Sequence, residues 1–238
     1  MLEINNYKSD ILNNITFQLN DNDNLIILGE NGAGKSTLAK VLSNLIENQD
    51  VKLFGEKLDS IVDNKRASLI NYIPPKLEIF DEYLTLREFM ELASITSVDN
   101  EKITKLIKLL KLEKLENRYC KAFSSGEKQL LLLASSIMHD AKITIFDELT
   151  ANLDISRLKE VYDILQSPML QQKIVITHNL DLAYALKYKV LYLKDGEIEF
   201  YGEHDEFFSN ENLKRFYNNT ISKIDEHLVV NLWRKHYL

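Results

Sequence analysis

The chain has 238 residues and 45% hydrophobic content, enough to bury a real core in one domain or one domain with an appendage. A net charge of −7 and a pI near 5.4 give no support to a nucleic-acid-binding surface. The single cysteine, Cys120, excludes an internal disulfide and favours a reducing compartment; no signal peptide is expected, and no apolar run approaches the ~18 residues that span a bilayer.

Residues 2–7 and 15–19 alternate as half-buried strands, with turns at Asn13-Asn14 and from Asp21 to Asn24. Leu25-Ile26-Ile27-Leu28 has the length and character of a buried strand. It runs into Gly29-Glu30-Asn31-Gly32-Ala33-Gly34-Lys35-Ser36-Thr37, and Leu38, Val41, Leu42 and Leu45 then follow at the spacing of an amphipathic helix. A glycine-rich loop between a strand and a helix is the context that identifies a phosphate-binding P-loop. Its glycines let backbone N–H groups approach phosphate oxygens with no Cβ in the way, and the helix N-terminus adds partial positive charge. Lys35 is placed to reach β- and γ-phosphates, and the Ser36 hydroxyl to ligate Mg²⁺.

Strands are expected at Val51 to Phe54 and at Leu69 to Ile73, the second stopped by Pro74-Pro75. Helices are expected at Thr85 to Ala93, on the surface from Glu101 to Leu115, and more deeply buried from Leu130 to Met138. Three later runs, Ile143 to Phe146, Ile174 to Thr177 and Val190 to Leu193, have the length of buried strands. Helical patterns at Ser156 to Gln166 and Leu180 to Leu186 separate them. Strands alternating with helices predict a parallel sheet covered on both faces, with ligands at the carboxyl ends of the strands. That rule points to positions 29, 74, 147 and 178.

Asp147 and Glu148 end the first of the later strands. An acid at the end of a strand beside the P-loop strand can hold Mg²⁺, and the next acid can act as general base toward water; an acidic helix start stabilised by the dipole is the plainer reading. Ser124 and Glu127 fit a capping box, and an exposed helix start with Ser125 and Gly126 also suits a γ-phosphate; the spacing is compatible with both. His178 follows the strand Ile174 to Thr177, on the same expected edge.

The order of P-loop, serine-glycine segment, hydrophobic-Asp-Glu, Leu-Asp and strand-end His resembles the ATP-binding cassette (ABC) ATPase family from about Tyr7 to Gly202. Gly29 to Thr37 matches Walker A, Ile143 to Glu148 Walker B with its catalytic glutamate, and Phe123 to Glu127 the signature. Ala151-Asn152-Leu153-Asp154 matches the D-loop, His178 the switch histidine, and Tyr7 the aromatic that stacks on adenine. The resemblance implies an α/β fold: a RecA-like P-loop NTPase core with a mainly parallel sheet, an antiparallel β subdomain and an inserted helical subdomain over about 76–139. The ATPase domain would be 1–217.

The cofactors implied are ATP and Mg²⁺, held by Tyr7, Gly29 to Thr37 and Asp147. Lys35, Glu148 and His178 would be catalytic. A second copy would supply Ser124, Ser125, Gly126, Glu127 and Asp154 in trans, in a head-to-tail homodimer. The implied partners are integral-membrane permease subunits and no nucleic acid, with the chain peripheral on the cytoplasmic face of the cell membrane. Three departures from the family pattern stand out. Pro75 occupies the place of the Q-loop glutamine and offers no amide to Mg²⁺ or water. Ser125 and Glu127 replace Gly and Gln, and Leu149 replaces Pro.

The first functional expectation is the ATPase subunit of a membrane transporter; Asn152-Leu153-Asp154-Ile155 has a faint likeness to iron-chelate and haem importers. The alternatives are a non-transport ABC ATPase and a catalytically weak, nucleotide-binding regulatory subunit. The tail, 218–238, is expected to be helical, with Ile221, Ile224, Leu228 and Leu232 as its stripe and Trp233 beside them. It would pack on the domain or serve a dimer or partner contact.

Overall fold

The computed structural model describes residues 1–95, 97–151, 153–225 and 227–231. In chain order it begins with β1 (Leu2–Tyr7), β2 (Ile15–Leu19), β3 (Leu25–Gly29), α1 (Lys35–Leu42), β4 (Val51–Leu53), β5 (Glu56–Lys57), α2 (Asp63–Leu69) and β6 (Ile70–Ile73). Then come α3 (Leu86–Leu92), α4 (Asn100–Leu109) and α5 (Ser125–His139). The second half runs β7 (Ile143–Asp147), α6 (Ile155–Gln166), β8 (Gln172–Ile176), α7 (Leu180–Leu186), β9 (Lys189–Lys194), β10 (Glu197–Gly202), α8 (His204–Phe207), α9 (Asn210–Tyr217), β11 (Ile221–Ile224) and β12 (His227–Val230).

The main sheet has the order β10-β9-β3-β8-β7-β6, parallel except for the antiparallel edge strand β10. A smaller antiparallel sheet has the order β2-β1-β4-β5. Strands of the main sheet are apolar on both faces because both faces are covered. Leu25 and Ile27 of β3 point into the core shared with α1 and the antiparallel sheet, while Ile26 and Leu28 point into the core built with α3 to α7. The carboxyl ends of β3, β6, β7 and β8 therefore share one edge.

Four expectations are corrected. The Asp147 strand is not beside the P-loop strand, because β8 lies between β3 and β7. α1 ends at Leu42, Asn44 takes a left-handed φ of 60°, and Leu45 is left exposed rather than on the helix's apolar stripe. The surface helix stops at Leu109, with Lys111 also left-handed, and only a short 3-10 turn covers Glu113–Leu115. The tail is not helical through residue 230: left-handed Asn218 ends α9, and β11 and β12 form an antiparallel hairpin with Ile221 opposite Val230. Ile221 and Leu228 pack on the main core, so the tail does pack locally, but as strands. Leu232 and Trp233 lie outside the described residues.

The region from β10 to α9 carried no sequence signal because its helices are short and rich in charge. Aromatic packing holds it: Phe207 stacks on Phe216 at 5.4 Å between centroids, and Tyr192 of β9 lies 4.6 Å from Phe216. Phe207 is fully buried, so Phe207→Ala should lower the unfolding free energy by about 3–5 kcal/mol, read from urea denaturation. Cys120 is fully buried, and burial pushes its thiol up to about 11. Iodoacetamide at pH 8 should therefore modify Cys120 in denaturant and leave it unmodified in the native protein, with peptide mass as the readout.

Candidate nucleotide and catalytic site

β3 ends in Gly29, and the loop reaches α1 through Gly32 and Gly34, both with left-handed φ (82° and 99°). A Cβ on Gly32 would meet nothing within 4 Å, so the loop opens onto free space there. The N-cap of α1 is Gly34, which gives the helix no side-chain cap, and the first turn holds no acid. The other described helices of eight or more residues, α4, α5, α6 and α9, are capped by Asp99, Ser124, Asp154 and Ser209. The start of α1 thus leaves its amides to an outside anion, where a protein merely ending a loop would have placed a cap. This fits the phosphates of a nucleotide.

Lys35 is buried, and its Nζ donates to the carbonyls of Gly29 at 2.9 Å and Glu30 at 2.8 Å. Burial holds its pKa below the ordinary lysine value, against the opposing pull of Glu148 and Asp147. A phosphate in the loop offers this ammonium a charged acceptor in place of two neutral carbonyls. Glu30, Asn31 and Gly32 are exposed, Ser36 and Thr37 half-buried, and Ala33 buried, its carbonyl accepting from the amide of Gly196.

The strand-end acid meets the loop despite the intervening strand. Ser36 Oγ donates to Asp147 Oδ1 at 3.1 Å, and Asp147 is wholly buried. Its other oxygen, Oδ2, accepts from the Tyr72 hydroxyl at 2.9 Å. Burial, and then the neighbouring carboxylate, push the Tyr72 hydroxyl far above its ordinary pKa, so it stays a donor. No group of three or more His, Cys, Asp or Glu among the described residues is arranged to hold a metal. Ser36 and Asp147 supply two hard oxygens, and a Mg²⁺ ion would complete its shell with phosphate and water oxygens.

Glu148 follows in a left-handed conformation with φ of 53°, costly for a residue with a Cβ. Its amide donates to the carbonyl of Ile176 at 3.0 Å, which fixes it against the end of β8. His178 Nε2 lies 2.8 Å from Glu148 Oε1. Both side chains are partly exposed and line a cavity of about 100 Å³ with Thr150, Thr177 and Asn179.

Other expected residues lie apart from this cluster. Ser124 caps α5 in a complete capping box: Glu127 N–H donates to Ser124 Oγ, and the Glu127 carboxylate accepts from the Ser124 amide at 2.8 Å. The Glu127 charge is turned back onto its own helix start. Ser124 and Ser125 are exposed, Gly126 is half-buried, and among the described residues no hydrogen bond or cavity joins this segment to the P-loop. Asp154 caps α6 through the amide of Arg157; the hydrogen bond from Ser156 and that amide hold its carboxyl below the ordinary range. Asn152 lies outside the described residues.

Tyr7 also lies apart from this cluster: it is 6% exposed, within the core under the antiparallel sheet. The exposed apolar side chain against the start of α1 is Ile11, whose Cγ2 would lie 3.3 Å from a Cβ on Gly34. Two residues were missed in the sequence. Tyr72 read as one more apolar strand residue, and its place just before Pro74-Pro75 at a strand's carboxyl end was the available signal. Gln129 stands just before the expected buried helix Leu130 to Met138; it is 2% exposed, and its Nε2 donates to the carbonyl of Pro75 at 2.6 Å.

A family model described as "ABC transporter" matches residues 12–151. An uncharacterised ABC transporter ATP-binding protein of Methanocaldococcus jannaschii is 35% identical over 229 residues, covering 89% of this chain and 87% of that protein. The phosphonates import ATP-binding protein PhnC of Fusobacterium nucleatum is 25% identical over 235 residues, covering 90% and 95%. Among solved structures, a dimeric ATP-binding cassette in a post-hydrolysis state bound to ADP and Pi superposes with a TM-score of 0.74 at 21% identity, covering 86% of this chain and 99% of that one. The cbiO1 protein of Clostridium perfringens, part of the ABC transporter complex cbiONQ, gives 0.73 at 22% identity, covering 91% and 94%. These two structures support the fold alone. The family model spans more than half of the chain, and with the Methanocaldococcus relative it shows that this chain belongs to the ABC transporter family, among its ATP-binding proteins.

Proposed function

We propose that the chain is the Mg²⁺-dependent ATP-hydrolysing subunit that drives integral-membrane permease subunits from the cytoplasmic face of the membrane. The observation that carries this reading is the convergence of Lys35, Ser36, Asp147, Glu148 and His178 on one sheet edge, with Ser36 bonded to Asp147 and Glu148 to His178. The ATPase domain is residues 1–217, with the helical subdomain at about 76–139.

In this reading the loop amides and Lys35 hold the β- and γ-phosphates. Ser36 and Asp147 would hold Mg²⁺, whose charge offsets that gathering on the phosphate oxygens. Glu148 orients the attacking water and takes its proton, and His178 fixes the carboxylate for that task. The signature segment Ser124 to Glu127, with Asp154, completes the site on a second copy; in its own chain Ser124 and Ser125 are exposed and no hydrogen bond or cavity among the described residues joins the segment to the loop. No described helix is long and apolar enough to cross a membrane, so the spans would belong to the partner. Phe80, Tyr83 and Tyr119 are exposed within the helical subdomain, a surface suited to such a contact. One relative's name gives phosphonates as its cargo and the Methanocaldococcus relative's name gives none, so no cargo is assigned to this chain.

Glu148→Gln should retain ATP binding, accumulate as an ATP-bound dimer in size-exclusion chromatography and lose about 10²–10⁴-fold in turnover. Hydrolysis at the wild-type rate would remove Glu148 as the base. Lys35→Ala should abolish detectable ATP binding by calorimetry while leaving the far-UV circular dichroism spectrum unchanged. A mild-detergent pull-down of the tagged chain from its native cells should bring a polytopic membrane protein in near-stoichiometric amount; recovery of soluble proteins alone would contradict the permease partner.

A further inference from the structure

Asp147 is wholly buried, and each of its carboxylate oxygens accepts from a different strand or helix: Oδ1 from Ser36 at the start of α1, Oδ2 from Tyr72 on β6. A carboxylate has about four lone-pair sites, so two donors leave room for a cation or its water on the Oδ1 side while Oδ2 is tied down. Tyr72 can do this because β6 pairs with β7 in parallel register, Tyr72 opposite Ile145 and Ile73 opposite Phe146. The phenol bridges from the sheet's edge strand to the end of the next strand. Beyond it the edge strand is also held: the Pro75 carbonyl accepts from the buried Gln129 of α5. Pro75 itself has no side-chain donor or acceptor to offer the site.

We infer that Tyr72 is a positioning residue for the Asp147 carboxylate, fixing its rotation so that Oδ1 faces the Ser36 hydroxyl, the two groups that would hold Mg²⁺. The inference rests on the reading of Ser36 and Asp147 as the Mg²⁺ site. Without the phenol hydroxyl, a buried carboxylate keeps one donor and is free to turn about its last bond, so its metal-facing oxygen is no longer held. Partners of this kind in metal sites typically change metal affinity by about 10–100-fold when removed.

The test compares wild type with Tyr72→Phe, which keeps the ring and removes only the hydroxyl. Calorimetry measures the affinity for adenylyl imidodiphosphate, a non-hydrolysable ATP analogue, in EDTA and in Mg²⁺. Electron paramagnetic resonance of Mn²⁺ measures the metal directly in the presence of the analogue. The expected result is equal analogue affinity in EDTA, within about 2-fold, and a roughly 10-fold loss in the Mg²⁺-dependent gain and in Mn²⁺ affinity. Undiminished metal affinity in Tyr72→Phe would overturn the role of Tyr72. An equal loss of analogue affinity in EDTA and Mg²⁺ would also overturn it, since the phenol would then be serving the fold. A wild-type protein whose analogue affinity is indifferent to Mg²⁺ would instead remove the metal site on which the inference rests.

Discussion

The hydrogen bond from Ser36 to Asp147 is the contact on which the site depends, because it joins two parts of the sheet that do not touch directly. β3 delivers the phosphate loop and β7 delivers the acids, and β8 stands between them with His178 just beyond its end. Parallel pairing brings these ends to one edge, and β3, β7 and β8 are held there by near-complete burial on both faces of the sheet. The two cores on either side of the sheet therefore set the distances within the site. A shift of β7 by one residue would turn Asp147 to the opposite face and break the bond to Ser36.

The cluster is also arranged around charge. Lys35 is buried and answered by loop carbonyls, Asp147 is buried and answered by two hydroxyls, and Glu148 leans on His178. Buried charges persist where donors or acceptors are in place for them. The uncapped start of α1 breaks the pattern set by the other longer helices, and its unpaired amides point to an anion that the chain does not itself provide. Lys35, Ser36, Asp147, Glu148 and His178 thus gather within the chain, while the segment Ser124 to Glu127 stands capped and exposed at the start of α5.

Much of this was legible in the sequence because the strands leading to the site are short, apolar and ended by residues with distinctive chemistry. α7 matches its expected bounds, and the capping box of Ser124 and Glu127 forms as its spacing suggests. Strand order was less accessible: nothing local in Ile143 to Phe146 tells that β8 will insert beside β3. Tyr7 could be placed in a pattern, but burial under the antiparallel sheet is a tertiary outcome. The tail misled because its β-branched residues fit a helical stripe as readily as a hairpin, and packing of Ile221 and Leu228 on the core accompanies the strand form. Tyr72 and Gln129 look like ordinary core residues until their polar tips are seen to reach Asp147 and Pro75.

On the proposed reading, the catalytic cluster works only with the Ser124 to Glu127 segment of a second copy. The most direct measurement is steady-state ATP hydrolysis in a mixture of two inactive variants, Lys35→Ala and Ser124→Arg. Mixed dimers pair the intact P-loop of the second variant with the intact signature of the first, so activity should return on mixing. A mixture no more active than the sum of its separate components, with mixed dimers demonstrated to form, would contradict it.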